Sequence, residues 1–406
     1  MNKILSYPEF VRLYPYLSTF GLICTFFSSF GQTFFVSLFV PSFNEEFNLS
    51  NSTFGLLYSG ATVLSALSLI WIGKWIDHML LKKYVLLNIS ILLIGITLLF
   101  SAWIIPILFV GLYFLRLGFQ GLLTHTTHTV MARYFVLNRG KALSIANLGY
   151  PIGEAFLPLV GAIVIASIGW RLSWVVVALL ILCIMLPIVL WLLSNIPADP
   201  KEIQTADGMS TLSEDEIRWT RRLVIRDPRF YKILPLFIAS PFLLTGLFLF
   251  QVSLAEYKGW TIELIATSFI MFATGRTLFS LIGGPLIDRF SAKKLFPYML
   301  LPSALGLIAI SFTAHPWVAF FYMLMLGMGE GLASGIKTAL WAEIYGVRSL
   351  GAIRSLMSFV LIFGTAISPF LFGYLIDLGI SFDQITLGSV VYIGLAISLS
   401  AGIRKS

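Results

Sequence analysis

The sequence predicts an all-α membrane protein with twelve transmembrane helices, arranged as two parallel six-helix repeats. Three features predict this fold: an apolar composition, twelve long apolar segments, and a motif that recurs after a fixed number of residues. The composition identifies lipid as the solvent, the segments give the number of spans, and the repeat divides the spans into two sets of six.

The composition excludes a water-soluble protein. Hydrophobic residues make up 58% of the 406 residues, charged residues make up only 11%, and the mean hydropathy is +0.91. Soluble domains carry about 25% charged residues, so this chain lacks the polar side chains that would cover its apolar ones in water. The net charge of +8 does not indicate a nucleic-acid partner, because the basic residues are dispersed along the chain. Cys24 and Cys183 lie in apolar segments and indicate no disulfide framework.

Twelve segments are apolar enough to cross a bilayer core, which takes about 20 residues of helix. The first half contains segments 14–40, 53–72, 84–104, 107–131, 142–168 and 173–194. The second half contains segments 233–254, 262–283, 295–313, 317–341, 352–376 and 384–402.

A long polar stretch separates the two sets of spans. We therefore predict an N-terminal six-helix bundle (1–194), a cytoplasmic linker (195–232) and a C-terminal six-helix bundle (233–406). Within the linker, the sequence Ser-Glu-Asp-Glu at 213–216 is typical of a helix capping box. The apolar and basic residues that follow predict a short amphipathic helix on the membrane surface, with a solvated linker helix as the alternative.

The basic residues predict the orientation of the chain, because short loops rich in Lys and Arg stay in the cytoplasm. With twelve spans, 22 of the 27 Lys and Arg residues fall on one side, and only Arg171 and Lys258 fall on the other. We therefore expect a multi-pass protein of the cell (inner) membrane with both termini cytoplasmic. The remaining three, Arg116, Arg276 and Lys337, fall inside spans.

An internal repeat links the two halves. GKWIDHMLLKK (73–83) and GPLIDRFSAKK (284–294) share Gly, Ile, Asp, Lys and Lys at a shift of 211 positions. The same shift pairs Gly153 with Gly364 and Pro158 with Pro369 in the fifth span of each half. Parallel six-span repeats are the layout of many secondary transporters.

These residues resemble the loop signature of the major facilitator superfamily, over essentially the whole chain. In that signature a Gly is followed by an Asp and then by basic residues, between the second and third spans of a half. The resemblance implies the major facilitator fold and a gating role for the loop charges. The residues that match or flank it are Asp77, Lys82, Lys83, Asp288 and Arg289.

Two further stretches resemble the same superfamily. Arg116-Leu-Gly-Phe-Gln120-Gly121 is similar to its fourth-span pattern of Arg and Gly. Gly275-Arg276, running into the second loop motif, looks like the monocarboxylate and oxalate–formate branch. In that branch an arginine of the eighth span holds the substrate carboxylate, which implies the same role for Arg276.

Polar residues at mid-span are functional candidates, because an ionisable group in the bilayer is costly unless it is paired or hydrated. Arg116, Gln120, Glu154, Arg276 and Glu330 all lie near the middle of a predicted span. On the fourth span, Gln120 and Thr124 share a helical face with Arg116, and His128 lies at its edge.

We assign these residues to two tasks. Arg276 and Arg116 would anchor an anionic group, because guanidinium stays charged and offers a bidentate fork. Gln32, Gln120 and Tyr150 would complete the substrate site, and Glu154 and Glu330 would carry a proton.

Each role has a structural alternative. Arg116 could neutralise Glu154, Arg276 could pair with Glu330, and Gln32 could bond another helix. Lys337 is expected to gate the pathway or to extend towards the cytoplasmic surface. Arg133 and Glu343 are expected to contact the basic loops. The histidines lack a second metal ligand at suitable spacing, so the sequence predicts no metal site.

The sequence therefore predicts a secondary active transporter of a small organic anion or amino-acid-like solute, working by alternating access as a symporter coupled to protons. The alternatives are a proton-driven exporter of cationic or drug-like compounds and, in another class, a non-transporting membrane sensor. No nucleotide-binding motif or catalytic group is visible, so we expect no enzyme activity and no cofactor. We expect the partners to be a small-molecule solute, protons and the lipid bilayer, and the protein to be a monomer.

Overall fold

The computed structural model describes residues 6–135, 138–197, 221–346 and 350–402. Every regular element within these ranges is helical. The predicted capping box at 213–216 and most of the predicted amphipathic helix lie outside the described residues, and so does the loop at 347–349.

The helices of the first half begin with a short segment and then follow the predicted spans. They are α1 (Tyr7–Leu13), α2 (Pro15–Ser28), α3 (Thr33–Val36), α4 (Val40–Phe47), α5 (Asn51–Ile72), α6 (Leu81–Phe100), α7 (Ile105–Leu115), α8 (Thr124–Tyr134), α9 (Arg139–Ala146), α10 (Gly149–Leu180) and α11 (Leu186–Ser194). Two π-helical segments, Arg116–Leu123 and Ile181–Met185, interrupt the fourth and sixth spans.

The helices of the second half are longer on average. They are α12 (Arg221–Arg226), α13 (Pro228–Leu249), α14 (Gln251–Tyr257), α15 (Ile262–Phe290), α16 (Ala292–Leu295), α17 (Leu301–Phe312), α18 (Pro316–Tyr345), α19 (Leu350–Asp377) and α20 (Phe382–Ala401).

The predicted spans are all found as helices. Among the described residues, ten helical stretches are long and apolar enough to cross a membrane. One of them, Arg139–Ser194, contains both the fifth and the sixth span, because Gly169 turns the chain in its middle at a φ of 79°. The first span follows a 102° bend between Tyr7–Leu13 and Pro15–Gly31. The predicted all-α architecture with twelve spans is confirmed.

The chain forms two compact units. Unit 1 comprises Met1–Phe39 and Gly60–Leu212, and unit 2 comprises Val40–Ser59 and Ser213–Ser406. Val40–Ser59 belongs to unit 2 because α4 packs against α14. At the start of α5, the backbone N–H groups of Asn51 and Ser52 donate to the carboxylate of Asp377, at 3.1 and 2.8 Å.

Candidate functional site

The first span is broken at Gln32, one of the predicted site residues. Helix α2 ends at Ser28, a 3-10 turn follows over Ser29–Gly31, and Gln32 is extended with φ −77° and ψ 155°. The helix resumes with the N–H groups of Phe35 and Val36 donating to the Gln32 carbonyl. Non-helical backbone at membrane depth needs hydrogen-bond partners from the protein itself. The backbone around Gln32 must therefore find donors on other helices.

Arg116 supplies one of those partners. Its Nη1 donates to the Gly31 carbonyl at 3.0 Å and its Nε donates to Thr62 Oγ1 at 3.2 Å. The residue is 3% exposed and begins the π-helical segment of the fourth span. Segments of π-helix are frequent at functional sites. In this structure the Arg116 guanidinium holds the broken first span together.

Three side-chain pairs continue from this point along the fourth span. Gln120 Nε2 donates to Gln32 Oε1 at 3.3 Å. The hydroxyls of Thr124 and Tyr150 lie 2.8 Å apart, and His128 Nε2 lies 2.9 Å from Asn147 Oδ1. All six residues are half-buried, and together we call them the polar stripe: Gln32, Gln120, Thr124, His128, Asn147 and Tyr150.

Helix α10 approaches the first span closely enough to join this group. A Cβ atom on Gly149 would overlap Thr25, and one on Gly153 would overlap Ser29, so these two positions admit only the hydrogen of glycine. The neighbouring residues on α10 are Tyr150 and Glu154, and Glu154 is 5% exposed. Unit 1 thus brings together the five residues that the sequence predicts for substrate binding and proton transfer in this half: Gln32, Arg116, Gln120, Tyr150 and Glu154. Hydrogen bonds or packing hold Arg116, Gln120 and Tyr150 around the break, and Glu154 lies one turn beyond Tyr150.

Unit 2 places Glu330 near the middle of α18, half-buried against α13. Ser240 Oγ donates a hydrogen bond to Glu330 Oε2. A cavity of about 10 Å³ lies beside the carboxylate, which is about the space that one water molecule needs. The residues lining this cavity are Ser240, Leu243, Leu244, Leu300, Ser303, Leu307, Leu326, Glu330 and Ile393.

Arg276 and Lys337 lie on the same pair of helices. The carbonyl of Arg276 packs directly against Gly331, because α15 and α18 approach closely at Gly327 and Gly331. The Arg276 side chain is half-buried. Two turns beyond Glu330, the Lys337 ammonium lies 5.5 Å from the centre of the Phe237 ring.

The loop charges behave differently in the two halves. Arg133 Nη2 forms an ion pair with Asp77 at 2.6 Å, whereas Lys82 and Lys83 are exposed. In the second copy Asp288 and Arg289 are exposed, and Glu343 accepts hydrogen bonds from the N–H groups of Ala292 and Lys293 at 2.7 and 3.0 Å. Arg133 and Glu343 contact the loops as the sequence predicts.

Sequence reasoning missed three partners at these sites. Thr62, Ser240 and Ser303 are small polar residues inside apolar segments, and nothing in their local pattern separates them from hydroxyls that bond their own helix. No group of three or more His, Cys, Asp or Glu side chains that could hold a metal ion occurs in the described part of the chain.

Comparisons with known proteins agree on one family. The sequence profile described as Major Facilitator Superfamily matches residues 21–275 and 245–403. No curated protein matches the chain by sequence.

Solved structures of transporters share the fold. A bacterial homologue of the human lysosomal transporter Spinster aligns with a TM-score of 0.72 at 17% identity, over 99% of this chain and 98% of its own. The nucleoside transporter NupG aligns with a TM-score of 0.69 at 13% identity, over 97% of this chain and 98% of its own. A D-xylose–proton symporter aligns with a TM-score of 0.70 at 16% identity, over 98% of this chain and 97% of its own.

Proposed function

The chain belongs to the major facilitator superfamily, and we propose that it moves a small organic anion or amino-acid-like solute by alternating access, as a symporter coupled to protons. Family membership makes it a multi-pass membrane transporter and not an enzyme. The observation that carries the proposal is the presence of Glu154, Arg276 and Glu330 near mid-span. Ionisable groups at this depth are unfavourable in lipid unless they are hydrated or paired, which is why they mark transport pathways.

Glu330 is the proton carrier that we assign to unit 2. It has a hydrogen-bond donor in Ser240 and room for about one water molecule, while most of its other neighbours are Leu and Ile side chains. An ionised carboxyl group in such surroundings needs water or a counter-charge. A change in water access during transport would therefore load or release the proton. We assign Glu154, buried in unit 1, the same role.

Arg276 is the anion anchor that we favour over Arg116. The guanidinium of Arg116 already donates to Gly31 and Thr62, which supports a structural role for Arg116, although with other partners than the Glu154 that the sequence suggested. Arg276 is half-buried, and its helix packs against the helix that carries Glu330. Its charge would bind a carboxylate close to the proton carrier. We also propose that the chain belongs to the monocarboxylate and oxalate–formate branch, which its sequence around Arg276 resembles.

Gating and orientation complete the proposal. We assign gating to the loop charges and to the lysine near the end of α18: Asp77, Lys82, Lys83, Asp288, Arg289 and Lys337. We further propose that the protein is a monomer in the cell (inner) membrane with both termini in the cytoplasm, because this orientation follows the distribution of Lys and Arg. The similar fold of a D-xylose–proton symporter supports proton coupling in general and leaves the solute to experiment.

Uptake by the purified protein in liposomes tests the proposal. Wild-type protein should accumulate an organic acid or amino acid when an inward proton gradient is imposed, and a pH-sensitive dye inside should report proton entry. Glu330→Gln should still exchange internal for external solute but should lose accumulation, and Arg276→Ala should raise the half-saturating concentration at least tenfold. Glu263→Gln, at an exposed position in the first turn of α15, is the matched control.

Two results would contradict it. Accumulation that does not depend on the proton gradient would contradict proton coupling. Unchanged uptake by Arg276→Ala would contradict the role of Arg276 as the anion anchor.

One observation favours a second candidate, a proton-driven exporter of cationic or drug-like compounds. If Arg116 serves only to brace the first span, the two acids Glu154 and Glu330 outweigh the single cation Arg276 at mid-span. Proton-driven efflux of ethidium from the same liposomes, lost in Glu154→Gln, would favour this candidate over anion uptake.

A further inference from the structure

The polar stripe consists of three hydrogen-bonded pairs of polar side chains. Its three pairs stand at Gln120, Thr124 and His128, four residues apart along the fourth span, and their partners come from the first and fifth spans. None of the six side chains is an acid, a lysine or an arginine. Each pair consists of groups that can both donate and accept a hydrogen bond.

The stripe differs from polar pairs that only join helices. Asn88 and Thr126 in the same unit form such a pair at 2.8 Å, and both are 0% exposed. A fully buried pair of this kind is closed to any ligand. All six members of the stripe, in contrast, keep part of their surface exposed. The stripe therefore offers hydrogen bonds to a molecule that approaches it.

We propose that the polar stripe is a subsite for an uncharged, hydroxyl- or amide-bearing part of the transported solute. A hydroxyl or amide group both donates and accepts, so it can enter between the two members of a pair and replace one hydrogen bond with two. A charged group would meet no acid, lysine or arginine among the six side chains. The stripe thus selects solute groups that are polar but uncharged. It adds Thr124, His128 and Asn147 to the substrate-binding residues that the sequence predicts.

This subsite narrows the substrate class, and in that respect it rests on the proposed function. If the solute is an organic acid or an amino acid, the subsite implies that it carries a hydroxyl or amide group as well, as in a hydroxy acid or a hydroxylated amino acid. A single hydrogen bond at a partly hydrated site contributes about 1 kcal/mol. We therefore expect about a fivefold preference for a hydroxylated solute over the analogue that lacks the hydroxyl, since 1.4 kcal/mol corresponds to tenfold.

Pairs of solutes that differ by one hydroxyl test the subsite. The probes are L-lactate with propionate, L-malate with succinate, and L-serine with L-alanine, each measured for uptake into liposomes containing the full-length protein. The test variant is the double substitution Thr124→Val with Tyr150→Phe, which removes both members of one pair at once. We expect it to reduce the fivefold preference to about twofold or less.

The chain offers a matched control. Ser68 and Tyr113 of unit 1 form a hydroxyl pair of the same chemistry at 2.9 Å, and both are half-buried outside the stripe. The double substitution Ser68→Ala with Tyr113→Phe should leave the preference at its wild-type value. Equal thermal stability of the two double variants in detergent would show that the comparison concerns binding and not folding.

The outcomes separate this inference from the proposed function. If acids are transported without any preference for the hydroxylated member, or if the stripe variant keeps the preference, the subsite is overturned while anion transport stands. If no acid is transported, uridine with 2′-deoxyuridine is the next pair to measure, and its members also differ by one hydroxyl. A fivefold preference for uridine that the stripe variant loses would support the subsite and reject the anion anchor, and no preference there either would overturn the subsite.

Discussion

Arg171 in unit 1 and Lys258 in unit 2 perform the same task from different places in the chain. Arg171 donates to the carbonyls of Phe100 and Ala102 at 2.8 and 2.5 Å, at the end of α6. Lys258 donates to the carbonyls of Ile310 and Thr313 at 2.5 and 3.3 Å, at the end of α17. Ala102 and Thr313 are equivalent under the 211-residue shift, whereas the two cations are not.

This difference shows what a duplicated membrane fold preserves. The last carbonyls of a helix have no partner within the helix and carry its negative end, so each copy of the third span needs a donor there. The need recurs with the repeat, but the residue that meets it does not. These are also the two basic residues that the sequence places away from the cytoplasm, and their contacts with carbonyls explain why they are tolerated there.

The candidate sites follow the same rule. Both units carry a carboxylate at mid-span, yet unit 1 adds uncharged pairs around a broken helix, and unit 2 places its carboxylate beside a small cavity. The two copies of the repeat therefore surround a mid-span acid with different groups. The variants below compare equivalent tasks in the two units.

The largest effect on stability is expected from substituting Arg116, and Arg276 is the mid-span arginine of unit 2 with which it is compared. Arg116→Ala takes a charged donor away from Gly31 and Thr62, and each such hydrogen bond contributes about 1.5–3 kcal/mol. We expect the free energy of unfolding to fall by about 3 kcal/mol and the melting temperature in detergent to fall accordingly. Arg276→Ala, at a half-buried position, should affect uptake more than the melting temperature.

One result would contradict this division between a structural Arg116 and a substrate-binding Arg276. If Arg116→Ala keeps the wild-type melting temperature but loses solute uptake, Arg116 is a substrate ligand as the sequence suggests, and the two units both bind anions. Arg116→Lys, which keeps the charge without the fork, is the companion variant.

A smaller effect is expected where the cations cap α6 and α17. Lys258 is 9% exposed and also pairs with Asp383 at 2.6 Å, so Lys258→Ala leaves a carboxylate and two carbonyls without this donor. We expect a loss of about 2 kcal/mol, against about 1 kcal/mol for the half-buried Arg171. Melting temperatures of both variants measure the difference.

A double variant sharpens that result. Asp383→Asn should recover part of the stability that Lys258→Ala loses, because it removes the uncompensated carboxylate. If Asp383→Asn adds its own full loss instead, Lys258 acts through the carbonyls alone, and its role is the same as that of Arg171.

The sequence predicts more of the fold than of the site. Twelve spans follow from apolar length alone, because every helix in lipid must satisfy its own backbone. The clustering of Gln32, Gln120 and Tyr150 is also predictable, since polar residues that share a helical face inside a bundle tend to meet. The break at Gln32 is not predictable, because it depends on a donor from Arg116 on another helix, and a single glycine such as Gly31 is common inside membrane helices.

The same limit applies to unit 2 and to the borders of the units. Ser240 is one hydroxyl among many in apolar segments, and only packing brings it to Glu330. The sequence halves assign Val40–Ser59 to the first bundle, whereas contacts with α14 and Asp377 place it in unit 2. Periodicity and repeats describe single helices well, but they do not reveal which helices touch.

The smallest effect is expected at the two copies of the loop motif. Asp77 is 61% exposed in its ion pair with Arg133, and exposed pairs contribute about 0–1 kcal/mol. Asp77→Asn should therefore leave the melting temperature nearly unchanged and alter the uptake rate only about threefold or less. Because salt screens exposed charges, wild-type uptake at high ionic strength should approach that of the variant.

Glu343→Gln is the counterpart in unit 2 and should respond differently to salt. Within the described part of the chain, Glu343 binds the first N–H groups of α16 and no side-chain cation, so its hydrogen bonds hold a backbone turn in place. A glutamine oxygen can accept the same bonds, and we expect a smaller change in uptake than for Asp77→Asn, with little dependence on salt. A strong salt-dependent loss in Glu343→Gln would show that both loops work through charge, and that the repeat has kept its chemistry at this one place.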